Sequence, residues 1–125
     1  MSFRELAVFA GLLAAASGQA FAATSFTCVY TTYTDESGVH KVTEDFSLNF
    51  LVDESANRAY VTGKLGTSNV EIVPGIGGMT LVETTTMGNV MVTVILDSGV
   101  SVHSRTTIIV GKVVSSQYFG KCSKK

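Results

Sequence analysis

The chain has 125 residues, a formal net charge of −1, no tryptophan, one proline and two cysteines. A charge so close to zero, with its one basic cluster at Lys121, Lys124 and Lys125 reading as a solvated end, argues against a nucleic-acid partner, because phosphate binding needs a concentrated positive face. Two cysteines, with His40 and His103 at no finger-like spacing, do not complete a zinc site, and no metal or other cofactor is expected.

In chain order, residues 1–22 read as a secretory signal peptide. Arg4 lies near the start, an apolar stretch runs from Leu6 to Ala16, and Ala20-Phe21-Ala22 forms a small-residue cleavage site. The apolar stretch is shorter than the roughly 20 residues that a bilayer-spanning helix needs, so cleavage is expected, with no stable membrane insertion afterwards. Residues 23–125 then form a single domain, periplasmic or secreted. In such an oxidising compartment Cys28 and Cys122 are expected to form a disulfide, which by loop entropy is worth about 4–5 kcal/mol.

The mature chain shows no helical period. Threonine, valine, isoleucine and aromatic residues occur in short runs separated by glycine, serine, asparagine and aspartate, the pattern of an all-β domain. The runs predict eight strands, beginning near Phe26, Thr43, Ala59, Val70, Met79, Asn89, Val100 and Val113. The second alternates most regularly, with Phe46, Leu48, Phe50 and Val52 on one face and Asp45, Ser47 and Asn49 on the other. Pro74 suits a strand end, and Gly75-Ile76-Gly77-Gly78 a turn rather than a phosphate cradle, because strand-like residues follow it instead of a helix. The acidic pairs beside turns, such as Asp35-Glu36 and Asp53-Glu54, read as loop solvation. No calcium-loop spacing is present.

Short connections between successive strands predict an antiparallel meander. With its first and last strands stapled, the chain is expected to form a small eight-stranded antiparallel up-and-down barrel, with a two-sheet sandwich as the alternative. A barrel of this size either fills its interior or holds one small ligand.

Taking Asp97-Ser98-Gly99 as a three-residue turn and Gly111-Lys112 as a two-residue turn puts the last three strands in register. Thr93 then lies beside His103 and Gly120, Met91 beside Arg105 and Tyr118, and Ile95 beside Ser101 and Cys122. One face carries histidine, arginine, tyrosine and cysteine; the other carries Val90, Val92, Val94, Val100, Val102, Ile108 and Phe119. The greasier face is expected to be the core, which leaves His103, Arg105 and Tyr118 outside. A bulge that shifted the register would turn them inward to line a pocket mouth.

The candidate binding residues are His103, Arg105, Tyr118 and Gln117. Arg105 beside Tyr118 suggests a cation–π pair or, more sharply, a carboxylate-binding arginine. No catalytic residue is assigned: His103 has no acid at matched spacing, and Ser101, Ser104, Ser115 and Ser116 sit in no nucleophile motif.

Phe26-Thr27-Cys28 at the start of the first strand and a closing Cys122, in a β domain of this size behind a signal, resemble the architecture of the small secreted lysozyme inhibitors of Gram-negative bacteria. The Ser-Gly-x-x-Tyr and aromatic-Lys-Gly segments that carry inhibition in that family have no counterpart here, so no inhibitory residue is carried over. The tail, from His103-Ser104-Arg105-Thr106-Thr107 to Ser116-Gln117-Tyr118-Phe119-Gly120-Lys121-Cys122, is similar to the ends of short uncharacterised exported bacterial β proteins. That similarity implies an exported β domain and no activity. The leading expectation is a non-enzymatic exported module that binds a small ligand or a partner protein. The alternatives are an envelope structural or assembly subunit, an inhibitor of a secreted hydrolase, and a small hydrolase using His103.

Overall fold

The computed structural model describes residues 23–125, and the signal-peptide reading of residues 1–22 lies outside them. The strands are β1 Thr24–Asp35, β2 Gly38–Asp53, β3 Arg58–Gly63, β4 Gly66–Gly75, β5 Gly78–Thr84, β6 Val90–Leu96, β7 Val100–Ile109 and β8 Lys112–Lys124. Each pairs antiparallel with its neighbours in the chain, and β1 also pairs with β8, so the sheet closes on itself as an up-and-down barrel. Closure leaves the first and last strands without the free edges of an open sheet. Cys28 and Cys122 lie opposite each other across this seam and are joined by a disulfide.

The turn at Asp97-Ser98-Gly99 sets the expected rows, with Thr93 beside His103, Met91 beside Arg105 and Ile95 beside Ser101. The next turn corrects the expected register of the last two strands. It consists of Val110 and Gly111, with φ of 48° and 74°, rather than Gly111 and Lys112. Two successive left-handed residues give the turn a twist that matches the flanking strands. His103 therefore pairs with Tyr118, Arg105 with Ser116 and Ser101 with Gly120. The slip is two residues, so every side chain stays on its expected face.

Which face is inside is the larger correction. Ser101 and His103 are buried, at 1% and 3% exposure, and Thr93 is buried with them. The valine-rich face points outward, with Val90, Leu96, Val100 and Phe119 exposed. The reason lies in the other half of the chain. Phe26, Tyr30, Leu48, Phe50, Val52 and Val61 line the interior from β1 to β3; Cys28 lies among them, so its bond to Cys122 puts Cys122, and by alternation and pairing Tyr118 and His103, on the same inner side. Valines on the outer surface cover one another along cross-strand rows such as Thr80, Val94, Val102 and Phe119.

Gly120 makes the seam possible. A Cβ at this position would lie 2.7 Å from the Tyr30 Cα and would collide with the Val29 carbonyl oxygen. Only a glycine lets β8 approach β1 this closely between Tyr118 and Cys122.

Two irregularities open one end of the barrel. Thr31 is an extra residue in β1 relative to β8, between Tyr30 opposite Gly120 and Thr32 opposite Phe119. The bulge changes the parity of β1, so Tyr33 joins Tyr30 in lining the interior side. In β2, Val42–Asp45 fall between the paired residues Lys41 and Phe46, and β2 meets β3 only over Asn49–Asp53. Beyond that point the wall is parted, with β2 on one side and the β3–β4 tip on the other.

Candidate functional site

The interior is built in three layers. At the stapled end lie Phe26, Val52, Ala59, Ile95 and the disulfide; the middle holds Tyr30, Leu48, Leu81, Thr93 and His103. The third layer does not fill. Tyr33, Phe46, Glu83, Met91, Arg105 and Tyr118 surround a cavity of about 770 Å³ that opens between β2 and the β3–β4 tip. That volume lies within the roughly 300–1,000 Å³ typical of small-molecule sites.

A polar chain crosses the middle layer into the cavity. Arg105 Nε donates to His103 Nε2 at 3.1 Å, and His103 Nδ1 lies 2.7 Å from Thr93 Oγ1. Because Nε2 accepts, the imidazole is neutral and its proton sits on Nδ1, donated to the threonine hydroxyl. Burial holds the His103 ring well below the ordinary imidazole value, at about 4, and the Arg105 guanidinium beside it adds to the depression. Next to this chain the Tyr30 hydroxyl bonds Ser101 Oγ at 2.9 Å. Burial raises the Tyr30 phenol to about 12, although the Ser101 bond works in the opposite direction. Among the described residues no buried side-chain nitrogen or oxygen lacks a partner.

Aromatic rings fix the guanidinium from the other side. Arg105 Cζ stands 4.7 Å from the Phe46 ring centre and 5.5 Å from that of Tyr118. Phe46 and Tyr118 meet edge to face at 4.7 Å, and Tyr33 stacks on Tyr118 at 5.2 Å. Arg105 makes no ion pair; among the described residues the only one is Asp35 with His40.

Of the four residues expected to bind, the barrel brings three together. His103, Arg105 and Tyr118 line the cavity, whereas Gln117 alternates with Tyr118 onto the outer surface opposite Ser104 and takes no part in it. The polar row faces inward without a bulge in β6–β8, since the two-residue slip of β8 keeps its parity. The bulge lies in β1, where it turns Tyr33 toward Tyr118. Phe46, Tyr33, Glu83 and Met91, outside the residues expected to bind, complete the lining. For Phe46 the signal was present, because it shares the regular alternation of Leu48 and Phe50 in β2.

The chemistry of hydrolysis finds no footing at His103, whose ring partners are a threonine hydroxyl and a guanidinium rather than an acid. A second histidine meets both an acid and a serine at the β1–β2 turn. Asp35 Oδ1 accepts from Ser37 N, Ser37 Oγ and His40 Nε2 at 2.9, 2.7 and 2.9 Å, and Ser37 Oγ is also 2.9 Å from His40 Nε2. Serine and aspartate converge on one ring nitrogen, whereas a relay needs them on opposite nitrogens. The cluster is exposed and closes the turn. The Asp35 carboxyl is lowered first by the Ser37 hydroxyl. Among the described residues no group of three histidine, cysteine or acidic side chains is placed to hold a metal ion.

The molecule is thus a closed, disulfide-stapled eight-stranded barrel with a cavity that opens between β2 and the β3–β4 tip. Compared with protein-family models, curated proteins and solved structures, the chain gives no match.

Proposed function

We propose that the protein is a small exported, non-enzymatic barrel that binds a small ligand in the cavity between β2 and the β3–β4 tip. The observation that carries this reading is the unfilled third layer, where aromatic side chains and one positioned guanidinium surround empty volume in an otherwise packed interior. Export to the periplasm or beyond is supported by the disulfide, which persists in an oxidising compartment. Residence in water rather than lipid is supported by the outer surface of β2–β4, where Asn49, Arg58, Asn69 and Glu71 are exposed and interrupt any apolar belt.

Titration with the neutral fluorophore N-phenyl-naphthylamine tests the reading. Its emission should rise on binding at one site per chain, and Met91→Trp, which narrows the cavity, should weaken the rise while leaving the fold intact. No rise, or one indifferent to Met91→Trp, would remove the cavity from the account.

A second reading, an assembly subunit, has its own observation. Thr107–Ile109 and Lys112–Val114 pair only with each other, so the β7–β8 turn projects as a two-stranded ribbon carrying exposed Ile108, Ile109, Val110, Val113 and Val114. Sedimentation across a concentration series should show association for this reading, with Val113→Lys reversing it. A monomer at every concentration rejects it.

A further inference from the structure

We infer that the ligand is an amphiphilic monocarboxylate, its carboxylate on Arg105 and its apolar body along Phe46, Met91, Leu48 and Val61. The inference rests on the cavity being a binding site and adds the chemistry of what enters it.

The side chain of Arg105 is part-buried in an apolar and aromatic setting, yet among the described residues no carboxylate pairs with it. A partly desolvated cation without a close counter-ion is unfavourable unless something else supports it. Here the support comes from the His103 acceptor and two ring faces, all of which bind the guanidinium by Nε or by its plane. None uses the terminal nitrogens. Among the described residues Arg105 has no hydrogen bond other than the one from Nε, which leaves the Nη pair open to a guest in the cavity it lines. A planar pair of N–H donors matches the two oxygens of a carboxylate.

The rest of the wall narrows the class. Apolar area dominates, so the guest carries a hydrocarbon or aromatic body. Glu83 lines the same cavity, and Glu44 and Asp45 stand at its opening, which disfavours a multiply charged anion such as a phosphate monoester. A neutral His103 keeps the arginine in place without adding a second positive charge beside it, and the other cation of the lining, Lys64, stands on the exposed β3–β4 turn, so one part-buried cation meets one anion.

Displacement of N-phenyl-naphthylamine near neutral pH by dodecanoate, dodecanol and dodecylamine provides the test. Dodecanoate should compete about 10- to 100-fold better than dodecanol, the range expected for charge-assisted hydrogen bonds. Arg105→Met should erase that preference while dodecanol still competes. Arg105→Lys, which keeps the charge and loses the planar fork, should retain only part of it. Glu83→Gln should leave dodecanoate binding unchanged or tighter. Equal competition by acid and alcohol, or a preference that survives Arg105→Met, overturns the inference while leaving the cavity reading intact. A preference for dodecylamine that Glu83→Gln abolishes overturns it in favour of an ammonium guest. If the fluorophore itself does not bind, it is the cavity reading that has failed. Thermal melts of each variant with the disulfide intact establish that losses come from the site.

Discussion

The two ends of the barrel are built on opposite terms. At one end Phe26, Phe50, Val52 and Ile95 are packed almost without exposure beside the Cys28–Cys122 bond. At the other, a bulge in β1 and a parted wall beside β2 leave a cavity whose lining is aromatic, sulfur-bearing and charged. Stability is concentrated where the chain is stapled, which allows the far end to keep a cation and an unfilled volume. His103 belongs to both, since it is buried in the packed middle and bonds the arginine of the open end.

The strongest way to break the comparison is to damage the seam. Gly120→Ala forces a methyl group into the Val29 carbonyl and should cost about 4 kcal/mol or more in urea denaturation, with little folded protein recovered. A mild effect would mean that β1 and β8 do not approach this closely. Removing the disulfide by Cys28→Ser with Cys122→Ser follows. The bond closes a loop with a sequence separation of 94, and its loss should cost about 2–5 kcal/mol. At about 4–8 °C per kcal/mol for a domain of this size, the melting temperature falls sharply, and an unchanged melt would contradict the staple's role.

Two titrations sharpen the boundary between the ends. His103 is neutral in the fold down to about pH 4. The unfolded chain takes up a proton near pH 6.5, so stability is complete above that value and declines as pH falls from about 6.5 toward 4, by roughly 3 kcal/mol at the limit. His103→Gln should flatten this decline in pH-dependent denaturation. The exposed Asp35 and Asp53, whose carboxyls are lowered by serine hydroxyls, release their contribution only at more acidic pH, which separates them from the histidine. In alkali the sign reverses. Unfolded tyrosine ionises near pH 10 and folded Tyr30 near 12, so stability declines as pH rises above about 10. Tyr30→Phe should remove its share of that decline and, by taking one partner from buried Ser101, cost about 1–2 kcal/mol at neutral pH. The smallest effect is at the open end: Arg105→Met should change stability by no more than about 1 kcal/mol, in contrast to its effect on binding.

Strand number, chain-order topology, the Asp97–Gly99 turn and the disulfide were legible because each is written locally or follows from two unique cysteines. Choosing the interior face was harder. Judged by hydrophobicity alone, Val90, Val92, Val94 and Val102 outrank His103 and Arg105, but the inner face is set across the seam by the aromatic residues of β1 and β2. A better signal was available. Cys28 alternates with Phe26 and Tyr30, and a staple joins side chains on one face, so Cys122 had to point with those aromatics; Tyr118, His103 and Arg105 then follow by parity. The register slip in the last hairpin came from giving the turn to Gly111-Lys112, since a β-branched residue such as Val110 seldom takes a positive φ. The opening beside β2 depends on where β3 stops pairing, which no local pattern in β2 records.

Placement of the polar row inside the barrel underlies both the cavity and its arginine, and the ring nitrogens of His103 report on it directly. Long-range nitrogen–proton NMR spectra followed against pH should show His103 as the neutral form protonated on Nδ1, titrating only near pH 4. A His103 ring that exchanges tautomers freely and titrates near the ordinary imidazole value of about 6.5 would place the row in solvent and contradict the account.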